Sequence, residues 1–286
     1  MKPMQAVPVL TVGIIGMLLY FPLMLWGNMS AAQNLLDSGA DLGCPSAFSC
    51  AFQLRNPVVP APTQLIEGFK SLSWPLSLDS APYNAWVTFA ETLGGLALAI
   101  VVGFVLAVLL TFSSNLRRSI SPWLVVSQTV PIIALAPMLA VILGQYGVQG
   151  WIPKTIISAY LAFFPMALGL TKGLQRVDSN ALDLMKTYHA HPLTVLLKLR
   201  IPAAVPYFFT ALKVSAAAAL VGTMVAEMST ISFNGLGKML AENSRASDST
   251  ALWIIMAYSA GLGIFLVALV GWIERWVTPW QHPNAH

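Results

Sequence analysis

Six runs of mainly apolar residues, each long enough to cross a lipid bilayer, divide this chain. A helix needs about 20 such residues to span roughly 30 Å of hydrocarbon. Only 9% of the 286 residues are charged, compared with about 25% in an average soluble domain. The chain has too few charges to coat a soluble globule, so the sequence predicts an all-α, polytopic membrane protein. The six predicted spans are residues 9–27, 85–112, 122–145, 152–174, 205–228 and 251–274.

The first apolar run resembles a signal peptide only at its start, where Lys2 precedes it. Its uncharged part, Val7 to Leu36, is long for such a signal, and no small-residue cleavage site is evident. We therefore expect a retained helix. The predicted organisation is an N-terminal transmembrane helix at 1–28, an extracytoplasmic segment at 29–84, a core of five spans at 85–276, and a cytoplasmic tail at 277–286.

The lysine and arginine residues are distributed unequally between the two sides of the predicted membrane. With the N-terminus inside, ten of them fall on the cytoplasmic side and five on the outer side. Cytoplasmic loops of membrane proteins carry such an excess, so we expect both termini in the cytoplasm. The formal charge of +4 follows from this topology, and it gives no reason to expect a nucleic-acid partner.

The two cysteines, Cys44 and Cys50, lie in the outer segment, six positions apart among glycine, proline and serine residues. Disulfides persist on the outer side of a cytoplasmic membrane. The spacing is compatible with a disulfide, and the alternative is a pair of free, partly buried thiols.

The loop between the fourth and fifth spans, residues 179–206, is polar and basic, yet its apolar residues recur at helical spacing. We interpret it as two short amphipathic helices broken at His191-Pro192. An apolar stripe on a helix outside the bilayer needs a partner surface to cover it. The stripe consists of Leu182, Met185, Leu193, Leu196, Leu197 and Ile201.

Residues that could carry out catalysis are sparse. His189 and His191 are two positions apart, a poor spacing for a shared metal site on a helix. Gly235-Leu-Gly237-Lys238 lacks the first glycine of a phosphate-binding loop. We therefore expect no catalytic residue and no metal site in this chain.

Two acidic residues lie near the outer ends of predicted spans, Glu91 and Glu227. An ionisable group at such depth is a functional candidate, and the alternative is an interfacial side chain that reaches into water. Gln128 and Thr129 precede Pro131, which we expect to bend the third span. These two side chains either line a substrate pathway or bond to a neighbouring helix.

The 179–206 loop resembles the coupling segment of type I ATP-binding-cassette (ABC) importer permeases, which are served by a solute-binding protein. The pattern of that family is Glu-Ala-Ala, then Gly, then Ile and a closing Leu-Pro. Here Ile201-Pro202 matches the closing pair and Leu199 falls at the Ile position. His189 falls at the Gly position, and Asp183-Leu184-Met185 falls at Glu-Ala-Ala.

The resemblance extends from about Pro60 to Trp276, because further family-like segments follow in family order. The variants are most similar to the branch near the aliphatic-sulfonate, taurine and nitrate permeases, particularly the permeases for thiamine precursors and riboflavin. The segments are Trp86–Leu93, Ser127–Pro137, Phe163–Pro165, Asp183–Met185 with Tyr188, Ile201–Tyr207, Val225–Glu227 and Gly235–Gly237.

The resemblance implies a permease subunit in the cytoplasmic (inner) membrane of a prokaryote. Its implied partners are an ABC ATPase dimer that binds ATP and Mg²⁺, a second permease copy or paralogue, and an extracytoplasmic solute-binding protein; the chain itself holds no cofactor. The implied substrate is a thiamine precursor, riboflavin or similar heterocycle, or a small anion such as a sulfonate. The residues implied to couple to the ATPase are Asp183, Leu184, Met185, Tyr188, His189, Leu193, Leu196, Arg200 and Pro202.

Within that coupling segment, the apolar stripe is expected to fill a cleft of the ATPase, with Lys186 and Arg200 at the rim. Pro202 is expected to end the second short helix before the fifth span begins. The alternative function is an ion-coupled carrier or channel without an ATPase. Such a protein should carry polar or charged residues at mid-membrane on several helices, whereas the first, third and sixth spans have no charged residue at mid-membrane.

Overall fold

The computed structural model describes residues 3–38, 44, 46–52, 54, 56–229 and 234–279, with 3–10, 12–14 and 17 described as backbone only. All regular secondary structure in these residues is helical, which confirms the all-α prediction. A π-helical turn at Leu196–Arg200 joins α9 to α10. The helices are α1 Pro3–Asp37, α2 Ala47–Cys50, α3 Pro62–Ser73, α4 Ala81–Phe112, α5 Ser114–Ser127, α6 Ile132–Gln145, α7 Trp151–Gln175, α8 Ser179–Thr187, α9 Pro192–Val195, α10 Ile201–Ser229, α11 Leu236–Arg245 and α12 Ser249–Val277.

Four helices in the described part of the chain are long and apolar enough to cross a membrane: α4, α7, the continuous helix Pro192–Ser229, and α12. The pair α5 and α6 makes a fifth span if it is counted as one. The predicted first span, residues 9–27, lies within α1, which continues to Asp37 because no proline or glycine follows Gly27 in it. The predicted tail after Pro279, with His282 and His286, lies outside the described residues.

The third predicted span is two helices, and the single bent helix expected over 122–145 is wrong in this respect. Helices α5 and α6 meet at 94° across the break at residues 128–131. Pro131 is the N-cap of α6 in an extended conformation, and a proline disfavours helix in the residue before it. Pro137 lies inside α6 without ending it. The Tyr160 hydroxyl, on α7, donates to the Ser127 carbonyl at the end of α5.

The chain divides into two compact units, of which the first comprises residues 1–81 and 240–257. In this unit the buried Asn28 side chain donates to the Ala51 carbonyl at 3.0 Å and to the Val59 carbonyl at 2.8 Å. Its oxygen accepts from the Val59 amide at 3.2 Å. A disulfide joins Cys44 and Cys50, whose Cα atoms are 5.5 Å apart. The irregular segment after α1 is therefore fixed to that helix by polar contacts.

The second unit comprises residues 82–239 and 258–286, and its centre is the contact between α7 and α10. A Cβ atom added to Gly173 on α7 would lie 2.7 Å from the Tyr207 Cβ, and one added to Gly222 on α10 would lie 2.8 Å from the Ser158 Cα. Small residues let two helices approach this closely in a membrane. The apolar core around the contact includes Met166, Leu170, Leu174, Leu196, Phe209, Leu212 and Ala216.

Candidate functional site

Helix α8, the first arm of the 179–206 loop, begins and ends with well-defined caps. The Asp178 carboxylate accepts from the Asn180 amide at 3.2 Å. At the other end the His189 amide donates to the Lys186 carbonyl at 2.9 Å, and the Ala190 amide donates to the Met185 carbonyl at 3.0 Å. This pair of bonds is a Schellman motif, which places its central residue in the left-handed region.

That central residue is His189, with φ of +51°. Glycine adopts this conformation without steric cost, whereas a residue with a Cβ atom pays for it. His189 occupies the position at which the resembled family has glycine. The backbone of the loop therefore keeps the turn that a glycine would make there.

The second arm is part of a membrane-length helix, which contradicts the prediction that Pro202 ends a separate short helix. The His191 side chain caps α9 by accepting from the Leu193 amide at 3.3 Å. The helix then continues without a break from Pro192 to Ser229. Pro202 therefore lies inside this helix, directly after the π turn Leu196–Arg200. A proline lacks the N–H donor and its ring crowds the carbonyl four residues earlier, and the wider π turn at that place lets the helix continue through it.

The exposed apolar face of the loop differs from the predicted stripe. Leu196 is only 6% exposed and packs in the core of its own chain, so it is corrected from a partner contact to a core residue. Leu182, Met185 and Ile201 are half-buried. The exposed loop face consists of Leu184, Tyr188, Leu193 and Leu197, which are 57%, 76%, 54% and 55% exposed.

The two cations expected at the rim of this face have different roles in the structure. Lys186 forms an exposed ion pair with Asp183 at 2.8 Å, of a kind that contributes little to stability. The half-buried Arg200 guanidinium instead donates to the Leu174 carbonyl at 2.8 Å. Arg200 therefore faces the end of α7, which corrects its predicted place at the rim. Pro202 remains exposed beside it.

A buried ion pair lies at the other end of these helices. The Lys154 ammonium on α7 is 2.6 Å from Glu91 Oε1 on α4, and both side chains are more than nine-tenths buried. Because Lys154 is near the start of α7 and Arg200 contacts its end, the ion pair and the loop lie at opposite ends of α7. The pair thus engages Oε1 of the predicted pathway residue Glu91 inside the protein, while its Oε2 is buried without a hydrogen-bond partner among the described residues.

Glu227 is 1% exposed, so its predicted alternative as an interfacial side chain in water is wrong. The Thr88 hydroxyl donates to its carboxylate at 2.8 Å, and the Gly237 amide donates to it at 2.7 Å. Glu227 also interacts electrostatically with Glu91 and Lys154. The two predicted acidic residues thus belong to one buried polar cluster between α4, α7 and α10.

The structure places Gln128 and Thr129 elsewhere, at the break between α5 and α6. The Gln128 amide nitrogen is 3.4 Å from the Ser127 hydroxyl. The exposed Thr129 hydroxyl donates to the Val126 carbonyl at 2.8 Å, within its own turn. Among the described residues, no hydrogen bond links either side chain to Glu91 or Glu227.

The sequence analysis did not identify several residues of the buried polar cluster. Asn84, Thr88 and Thr92 recur every four positions on one face of α4, and all three are buried. Polar residues at this spacing in an otherwise apolar run are the signal that could have identified them. Thr223 on α10 meets Thr92 at 3.1 Å between their hydroxyl oxygens.

Helices α4, α7 and α10 thus carry a buried polar cluster at one end, and α7 and α10 carry a loop with an exposed apolar face at the other. Within the part of the chain that the structure describes, no three His, Cys, Asp or Glu side chains are grouped to hold a metal ion.

Comparison with known proteins matches residues 99–279 to the family described as binding-protein-dependent transport system inner membrane component. A probable ABC transporter permease protein of Haemophilus influenzae is 31% identical over 65% of this chain and 74% of its own length. The formylaminopyrimidine transport permease protein ThiX of Halalkalibacterium halodurans is 29% identical over 78% of this chain and 86% of its own.

A solved structure with a similar fold belongs to the MetNI methionine ABC transporter in an inward-facing conformation. It has a TM-score of 0.60 and 19% identity, and the likeness covers 68% of this chain and 94% of the solved chain. The helical order and the matched segment agree with the resemblance seen in the loop. The chain belongs to the family of binding-protein-dependent transport system inner membrane components, the permease subunits of ABC transporters.

Proposed function

We propose that this chain is the permease subunit of an ATP-driven importer that passes a small solute across the inner membrane of a prokaryote by alternating access. An extracytoplasmic solute-binding protein delivers the solute. A dimeric partner ATPase binds ATP with Mg²⁺ and hydrolyses it, so this chain needs no cofactor of its own. Both termini lie in the cytoplasm, on the same side as the 179–206 loop.

The observation that carries this proposal is the exposed loop face of Leu184, Tyr188, Leu193 and Leu197. Burying a large apolar side chain contributes about 1.5–3 kcal/mol, so four of them outside the predicted bilayer favour a protein surface that covers them. The two arms of the loop are held by caps and by the Arg200–Leu174 bond. A rigid apolar projection of this kind suits the cleft of a moving ATPase subunit.

The substrate we propose is a small heterocycle or a small anion. The relative from Halalkalibacterium halodurans is named for formylaminopyrimidine. More distant relatives are a nitrate import permease protein of Leptolyngbya laminosa, 26% identical, and a riboflavin transport system permease protein of Chloroflexus aurantiacus, 24% identical. Their named solutes are small and polar or aromatic, which supports the same class for this chain.

The test is the double variant Leu184→Asp with Leu193→Asp, measured by ATPase co-purification and by ATP-dependent uptake of formylaminopyrimidine, riboflavin, nitrate and a sulfonate into proteoliposomes. Both substitutions place charge on the exposed loop face, so the variant should fold but lose the ATPase and uptake. The matched control for each single Asp substitution is Asn180→Asp, which adds one negative charge at an exposed position of the same loop. Normal ATPase binding and uptake by the double variant would contradict the proposed role of this face. Uptake by the unmodified protein without any ATPase would favour the ion-coupled alternative.

A further inference from the structure

The first amides of α11 have no acceptor in their own helix. The first bond of that helix runs from the Met239 amide to the Gly235 carbonyl, so the amides of Gly235, Leu236 and Gly237 need partners elsewhere. Such groups usually face water or a local cap. Here Gly235, Leu236 and Gly237 are all buried.

All three amides bond to side chains of other helices. The Gly235 amide donates to Asn84 Oδ1 at 2.6 Å, and the Leu236 amide donates to Thr88 Oγ1 at 2.8 Å. The Gly237 amide donates to Glu227 Oε2 at 2.7 Å. The start of α11 is thus attached to α4 by two bonds and to α10 by one.

The three acceptors also form a network among themselves. Thr88 Oγ1 accepts from the Leu236 amide and donates to Glu227 Oε1 at 2.8 Å, so its hydroxyl is used in both directions. The carboxylate of Glu227 lies at the N-terminus of α11, where the helix dipole favours negative charge. This bond is buried, so the loss of the acceptor would leave the Gly237 amide unpaired away from water.

Glycine is required at two positions of this contact. A Cβ atom added to Gly235 would lie 2.3 Å from the Glu227 carboxyl carbon, and φ of +126° at Gly235 is itself a glycine conformation. A Cβ atom added to Gly237 would lie 2.2 Å from the Met224 carbonyl oxygen. The two glycines let the backbone of α11 reach the carboxylate.

Glu227 lies near the end of the longest continuous helix described in the structure. This helix, Pro192–Ser229, has 38 residues and is therefore about 57 Å long at 1.5 Å per residue. Its first turns belong to the 179–206 loop. A displacement of the loop is carried along this helix to the attachment of α11.

We infer that Glu227, Thr88 and Asn84 are positioning residues that fix the start of α11 to α4 and α10, so that this start moves together with the long helix. The attachment itself stands on the contacts above, whereas its use in transport rests on the proposed function. In that role the residues do not contact the solute. They make the start of α11 respond to the ATPase and to the solute-binding protein together with the loop.

Amide hydrogen exchange with single-residue resolution tests the attachment in the assembled transporter in lipid nanodiscs. The amides of Gly235, Leu236 and Gly237 should be protected, although the first amides of a helix normally exchange quickly. In Glu227→Ala the exchange of Gly237 should accelerate about tenfold or more, as expected for loss of a buried hydrogen bond. Thr88→Val should accelerate exchange at Leu236, and Glu227→Gln, which keeps an acceptor, should lie between Glu227→Ala and the unmodified protein.

The matched control is Glu274→Ala, which removes the carboxylate that pairs with Lys213 of α10 far from Glu227. It should leave the three amides protected. Fast exchange of these amides in the unmodified protein, or unchanged exchange in both Glu227→Ala and Thr88→Val, would overturn the attachment. If the Glu227→Ala complex does not assemble, hydrogen exchange in Thr88→Val at Leu236 and in Asn84→Ala at Gly235 tests the attachment instead.

The ATPase activity of the same complexes tests the role in transport. Stimulation by the loaded solute-binding protein should fall about fivefold or more in Glu227→Ala, the lower end of usual coupling energies, while the basal rate and the solute's KM stay unchanged. Glu227→Gln should restore most of the stimulation. Faster exchange at Gly237 with unchanged stimulation would refute the coupling role. Absence of stimulation in the unmodified protein would refute the proposed function and leave the attachment intact.

Discussion

The guanidinium of Arg200 donates a hydrogen bond of 2.8 Å to the carbonyl of Leu174, and this bond joins the two ends of the loop that projects from α7 and α10. Leu174 is in the last turn of α7. The carbonyls of a last turn have no N–H donor in their own helix, and the helix dipole favours a cation there. Arg200 lies at the end of the π turn. The bond sets the separation between the end of α7 and the start of α10.

Replacing Arg200 with alanine should loosen the base of the loop. A hydrogen bond from a charged donor contributes about 1.5–3 kcal/mol, so thermal unfolding in detergent should shift to lower temperature and ATPase stimulation should fall. Lys198→Ala is the matched control, because Lys198 is a neighbouring exposed cation. Equal thermal shifts in the two variants would show that the bond to Leu174 does not hold the loop.

Leucines 193 and 196 are three positions apart, yet they should respond differently to truncation. Leu196→Ala removes a buried side chain and should lower the free energy of unfolding by about 2–5 kcal/mol, with normal ATPase binding by the protein that remains folded. Leu193→Ala should leave thermal stability nearly unchanged and weaken ATPase binding, since Leu193 is exposed. Thermal unfolding and co-purification measure the two effects. The opposite pattern would mean that the loop helix is rotated relative to the structure.

Replacing His189 with glycine should stabilise the end of α8. The left-handed conformation costs a residue with a Cβ atom about 1–2 kcal/mol, and His189 adopts it with φ of +51°. Hydrogen exchange of the Ala190 amide should therefore slow. His191→Gly is the control: His191 has φ of −62° and caps α9 through its side chain, so its replacement should not stabilise the loop. Faster exchange at Ala190 in His189→Gly would contradict the Schellman assignment.

Removing the disulfide should open the segment that follows α1. For a closed loop of this size, the chain-entropy model assigns about 2 kcal/mol to the bond between Cys44 and Cys50. In Cys44→Ser with Cys50→Ser, trypsin should cleave faster after Arg55, the one lysine or arginine between Lys2 and Lys70. A thiol reagent should label the unmodified protein only after reduction. Labelling before reduction, or equal cleavage of both proteins, would contradict this role of the disulfide.

The sequence predicted the membrane-length helices well because an apolar run of sufficient length leaves few alternatives. The run at 152–174 became α7, Trp151–Gln175, and the run at 251–274 became α12, Ser249–Val277. The break at Pro131 could also be foreseen from the chemistry of proline. The sharpness of that break could not, because it depends on how α6 packs against α7 and α10.

The candidate site was predicted less completely, since spacing gives a helical period but not the direction each side chain faces. Leu193 and Leu196 fit one stripe equally well, and only the continuation of the helix into α10 decides which of them is buried. Glu227 stood out as an ionisable residue in an apolar run. Its partner Thr88 is 139 positions away, a separation that periodicity cannot bridge.

The close approach of α7 and α10 has a consequence for the path of the solute. Where Gly173 meets Tyr207, and where Gly222 meets Ser158, the two backbones leave no space even for an added methyl group. A solute therefore cannot pass between α7 and α10 at these two contacts. Any path for the solute must therefore run beside this helix pair and not through it.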